Sequence, residues 1–166
     1  MNKLREGFTL IELMVVIVII GLLAAISVPK LFGMTAKAKA SEVGPAAGTW
    51  SNLLQAYVVE MTVLGDGEEI GYTPPGASKS SNMGETINFR YIIDGDVSEA
   101  SWEAKNLVML NDCQVADENK WVIDATLATG DLAPKYVIKV SGITITQKDM
   151  ASGPCGGLTP NFSRLQ

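Results

Sequence analysis

The sequence predicts an α+β fold, a long kinked N-terminal helix packed on a small antiparallel sheet. Three observations predict it. Residues 8–61 read as helix, residues 65–84 are rich in Gly, Pro and Ser, and several short β-type runs follow. That order, helix first and strands afterwards, specifies a sheet with a helix on one face. A chain of 166 residues holds one such domain plus appendages.

Residues 1–7 are a short polar leader. Residues 8–29 carry a single charge, Glu12, and nothing polar lies between Leu13 and Ile26. A helix of that length covers about 33 Å, close to the hydrocarbon thickness of a bilayer. Residues 8–29 are therefore expected to insert in a membrane. Lys3 and Arg5 precede the run and Lys30, Lys37 and Lys39 follow it, so the charge count alone is nearly balanced. A seven-residue tail has nothing to translocate, which favours a cytoplasmic N-terminus.

Residues 30–61 continue the helix in amphipathic form. Trp50, Leu53, Leu54, Tyr57, Val58 and Met61 fall on one face at three-and-four spacing and are expected in the core. Pro29 and Pro45 each remove a helix hydrogen bond, so kinks are expected there, with a break at Gly44. Residues 62–166 form the globular part. Strands are expected at 88–93, 107–110, 121–127, 136–140 and 143–146, the last two joined by a turn at Ser141-Gly142. The tail from Ala151 reads as irregular.

Composition removes several function classes. The chain has no histidine, so nucleophile–histidine pairs and most zinc sites are excluded, and no enzyme is expected. The net charge is −5, and residues 60–118 hold twelve acids against three bases, which disfavours nucleic acid. No cofactor is indicated. Asp66, Glu68 and Glu69, or Asp94 and Asp96, could be weighed for calcium. No EF-hand loop fits, because Glu99 stands at the turn glycine and Lys105 at the last ligand. A solvated acidic face is the default, and no metal site is expected. Cys113 and Cys155 are the two cysteines, and in an exported chain they most simply form one disulfide. Asn161-Phe162-Ser163 matches a glycosylation sequon by pattern alone.

Glu12 is the least ordinary residue in the chain. A carboxylate inside a membrane helix costs about 2.5–3.5 kcal/mol, and a simple anchor has no use for it. The stretch Gly7-Phe8-Thr9-Leu10-Ile11-Glu12-Leu13, with the apolar run behind it and Pro29-Lys30-Leu31 at its end, resembles the processing motif of type IV prepilins and type II secretion pseudopilins. The resemblance implies cleavage between Gly7 and Phe8 by a prepilin peptidase, followed by N-methylation of Phe8. A glycine before the cut admits a protease close to the backbone. It also implies that Glu12 meets the N-terminal amine of a neighbouring subunit, which pairs two charges in a dry setting and sets axial register. Pro29 would then be a site of helix melting during assembly, or equally the kink that membrane helices tolerate. Glu6 and the Gly44-Pro45 pair depart from the usual family pattern.

The resemblance thus implies a pilus subunit. It would be held in the bacterial inner membrane with its globular part periplasmic, handled by the peptidase and an assembly platform, then built into a homopolymeric surface filament. A pseudopilin forming a short periplasmic filament is the alternative within the family. A tethered binding protein that never polymerises is the alternative outside it. A secretory signal cut after Ser27 and an uncleaved anchor are the plainer readings of the apolar run, and Glu12 argues against both.

Overall fold

A computed structural model describes residues 7–78, 81–115, 120–127, 138–140 and 155–162. The chain divides into two compact units, Met1–Thr35 and Ala36–Gln166. Helix α1 runs Leu10–Ala40 and helix α2 runs Val43–Met61. Strands β1 (Met83–Glu85), β2 (Phe89–Gly95), β3 (Glu99–Asn106), β4 (Lys120–Leu127) and β5 (Ile138–Val140) follow, and a 3-10 turn spans Gly156–Leu158. The five strands form one antiparallel meander in chain order.

The interruption in the helix falls at Ser41–Glu42, not at Gly44 as the sequence suggested. Proline explains the displacement. Pro45 has no N–H to give to the Ser41 carbonyl one turn earlier, so the ladder fails there and not at Pro45 itself. Pro29 lies inside α1, which continues through it.

Helix α2 buries Val43, Ala46, Ala47, Trp50, Ser51, Leu54 and Val58 at three-and-four spacing. Leu53 and Tyr57 are half-buried against the same core. Met61, expected on this face, is 54% exposed. It is the last helical residue, and Thr62 turns the chain into the left-handed region (φ 66°) directly after it.

The sheet meets this helix with alternating residues, Phe89, Tyr91 and Ile93 from β2, Ala100, Trp102 and Ala104 from β3, and Trp121, Ile123 and Ala125 from β4. Rings interlock across the strands, with Phe89 edge-on to Trp121 at 5.4 Å and Tyr91 tilted against Trp102 at 5.7 Å. Each large buried side chain contributes about 1.5–3 kcal/mol.

The strands at 88–93 and 121–127 are present as β2 and β4, and β5 lies within 136–140. The strand expected at 107–110 is absent. Its place in the sheet belongs to β3, and residue 110 makes only an isolated bridge to Cys113. Short β1 lies in the stretch read as loop. Residues 1–6, the strand expected at 143–146, its turn at 141–142, and Ser163 of the sequon lie outside the described residues.

Candidate assembly helix and tail clasp

The N-terminal site starts where the helix starts. Gly7 and Phe8 precede α1 outside any regular element, and Phe8 is 88% exposed. Among the described residues, a side chain on Gly7 would meet nothing within 4 Å.

Thr9 caps α1, which is why the helix begins at Leu10 and not at Phe8. The Thr9 backbone N–H and hydroxyl both donate to Glu12 Oε2 at 3.0 Å, and the Glu12 N–H donates to Thr9 Oγ1 at 3.3 Å. This is a reciprocal capping box, each end residue satisfying an orphan donor of the other. The pattern Thr-x-x-Glu was visible in the sequence, and it gives Glu12 a local role beyond the one its isolation suggested.

Beyond Glu12, α1 exposes its apolar side chains all round. None of the 18-residue window that qualifies it as a membrane span is buried, and Leu10, Ile11, Leu22, Leu23 and Ile26 are each more than 60% exposed. A helix apolar on every side needs lipid or other helices around it. From Ala36 onward one side becomes buried, with Ala36 and Ala40 in the core of the second unit.

At the other end of the chain, Cys113 and Cys155 are joined, with S–S 2.00 Å and Cα–Cα 4.8 Å, and both are buried. The bridge ties the turn after β3, where Asn111 adopts φ 57°, to the 3-10 turn. Two further contacts hold the same tail. Trp121 Nε1 donates to Thr159 Oγ1 at 2.8 Å, and the Phe162 ring lies 6.2 Å from Trp102.

The acids weighed for calcium have other duties. The Asp66 carboxylate accepts from the Glu69 N–H at 2.9 Å and from Asn82 Nδ2 at 3.1 Å, and the first of these holds its pKa below the usual range. Asp96 Oδ1 accepts from the Ser98 N–H, the Ser98 hydroxyl and the Glu99 N–H, which lowers its pKa likewise. Asp94, Asp96, Glu99 and Asp124 line an open depression of about 360 Å³ at one end of the sheet. Burial pushes the Asp124 carboxyl up, the Lys120 ammonium opposes this, and Glu103 and Glu99 add to it. Among the described residues, no three His, Cys, Asp or Glu side chains are placed to hold a metal ion.

Comparison with known proteins agrees with this geometry. Residues 2–28 match the family model of the prokaryotic N-terminal methylation motif. The chain is 31% identical over 108 residues to the type IV major fimbrial protein FimA of Dichelobacter nodosus, covering 58% of this chain and 69% of that one. It is 32% identical over 100 residues to the fimbrial protein EcpC of Eikenella corrodens, covering 60% and 59%. Against a type IV major pilin PilE1 of Neisseria gonorrhoeae it is 36% identical over 77 residues, covering 46% of this chain and 36% of the relative. A capped apolar helix with an acid in its first turn and an antiparallel sheet later in the chain, matched over two thirds of a fimbrial protein, place the chain in the type IV pilin family.

Proposed function

We propose that this chain is the structural subunit of a type IV pilus, made as a precursor that is cut between Gly7 and Phe8 and methylated on the Phe8 amine. The observation that carries the reading is the fully exposed apolar helix with one acid, Glu12, starting three residues after Gly7. Before assembly, lipid covers residues 8–29. In the filament, the same residues of neighbouring copies cover one another, so the subunit exchanges one apolar environment for another and the transfer needs little net free energy.

Register comes from charge. The new Phe8 amine and the Glu12 carboxylate are the two charges left in the apolar core, and a slipped neighbour would strand both. Pro29 weakens the helix where the carbonyl of Ala25 lacks a partner, which allows local unwinding as the subunit leaves the membrane. The peptidase and an inner-membrane platform are the partners of these steps. The relatives' names are fimbrial, which favours a surface pilus over a secretion pseudopilus.

The test is electron microscopy of sheared surface filaments with intact-mass analysis of their main component. The expected component starts at Phe8 with one added methyl group. A mature N-terminus at Val28 would instead identify a secretory signal. Replacing Gly7 by a bulky residue is expected to leave the leader attached.

A further inference from the structure

Charge is distributed unevenly along the second unit. The strand register sets Arg90 opposite Lys105 and Lys105 opposite Lys120, a row of three bases across the sheet. Four residues along β2, about 13 Å away, the same face carries the row Asp94, Ser101, Asp124. Like charges directly opposite one another destabilise a sheet, so the basic row does not serve folding.

The helices show which end is which. Lys37 and Lys39 sit in the last turn of α1, and Glu42 just beyond them bonds to Tyr91 beside Arg90. The basic end is therefore the N-terminal end of α2. The Leu64 N–H, just past α2, donates to the Val97 carbonyl in the turn between Asp96 and Glu99. The acidic end is the C-terminal end of α2.

Local pairing leaves both ends charged. Glu85 engages Arg90 at 2.9 Å and Glu103 engages Lys120 at 2.7 Å. Among the described residues neither Lys37 nor Lys39 has an ion-pair partner, and both are exposed. At the other end the depression gathers four carboxylates, and the Lys120 ammonium acts on that of Asp124.

We propose that the acidic depression of Asp94, Asp96, Glu99 and Asp124 receives the basic end of a second copy, with Lys37 and Lys39 making the contact. The inference rests on the pilus reading. Copies inserted in one membrane are parallel, so their opposite ends meet only if they are staggered along the helix axis. From Lys37 to Met61 the stagger is about 36 Å, from the rise per residue. Such a contact joins two different surfaces and is heterologous, and a heterologous contact that does not close generates an open helical filament. Charge complementarity selects this stagger and rejects those that bring acid to acid.

Charge reversal in the full chain, expressed as the sole copy in its host, tests the contact. Lys37→Glu with Lys39→Glu, or Asp94→Lys with Glu99→Lys, is expected to reduce recovered filament about tenfold or more, since like-charge juxtaposition costs several kcal/mol. All four changes together are expected to restore it. Asp96 is left alone because it caps its turn. In addition, Lys37→Cys with Glu99→Cys is expected to form disulfide-linked multimers in sheared filaments. Normal filament in either reversal, or no recovery when the two are combined, overturns the contact. Absence of filaments from the unaltered chain would instead overturn the pilus reading itself.

Discussion

Tyr91 donates its hydroxyl hydrogen to Glu42 across 3.0 Å, so the junction of the two helices is tied to the centre of β2. Thr86 donates to the same Glu42 oxygen at 2.7 Å. One turn further along, the Tyr72 hydroxyl donates to the Ala46 carbonyl at 3.1 Å and accepts from Trp102 Nε1 at 3.2 Å. The weak point left by Pro45 is thus held by three polar ties, from Tyr91, Thr86 and Tyr72.

These ties make stability fall in alkali. Burial, and next the Glu42 charge, raise the Tyr91 pKa above its ordinary value, and burial raises that of Tyr72. Below pH of about 10 the unfolded tyrosines are neutral as well, and the full stabilisation is present. Above it the unfolded chain releases protons that the folded chain keeps, so stability falls as pH rises toward the folded values. Each tyrosine contributes a slope of up to about 1.4 kcal/mol per pH unit. Denaturant melts between pH 8 and 12 are expected to show a shallower decline in Tyr91→Phe than in the unaltered chain.

On the proposed reading Glu12 has two separable roles, capping α1 and pairing with the amine of a neighbouring subunit. Thr9→Val removes the side-chain half of the capping box and is expected to weaken the start of α1 by about 1 kcal/mol. Glu12→Gln keeps the shape and an acceptor while removing the charge. Filament yield is expected to fall sharply in Glu12→Gln and little in Thr9→Val, with cleavage after Gly7 retained in both. Equal loss in the two variants would assign Glu12 to capping alone.

The loop before β1 depends on one glycine. Gly76 has φ +76°, and a Cβ there would run into the backbone of Glu85. Gly71 has φ +72° but open space around it. Gly71→Ala is therefore expected to cost about 1–2 kcal/mol from backbone conformation alone. Gly76→Ala should cost clearly more, because β1 must also move. Chemical denaturation of the two variants side by side checks the order.

Opening the disulfide releases the tail. Replacing Cys113 and Cys155 by serine removes a constraint worth about 4 kcal/mol on the chain-entropy view for a separation of 42 residues. That is a large share of the roughly 5–15 kcal/mol that holds a domain together. Lower subunit accumulation and early proteolysis of the segment around Cys155 are expected, with cleavage after Gly7 unaffected. A subunit level equal to the unaltered chain would show that Trp121–Thr159 and Trp102–Phe162 suffice to hold the tail.

What the sequence determined by itself is what local interactions determine. A helix is held by bonds four residues apart, so its existence, its apolar first half and the buried face around Trp50, Leu54 and Val58 could be read directly. Gly7, Phe8 and Glu12 stand together in the chain and were equally legible. The Thr9–Glu12 capping pattern was legible too, since its two partners stand three residues apart. Only the tertiary structure decided β3. Glu-Ala-Ser-Trp-Glu-Ala-Lys-Asn has no β-branched residue and little apolar content, and it becomes a central strand because β2 and β4 satisfy its backbone on both sides while Ala100, Trp102 and Ala104 fill the space under α2. The clasp of Glu42 by Tyr91 and Thr86, and the opposed charged rows across the sheet, join residues separated by many positions in the chain. Strand register creates such neighbours, and register is set by pairing partners that no local window of sequence contains.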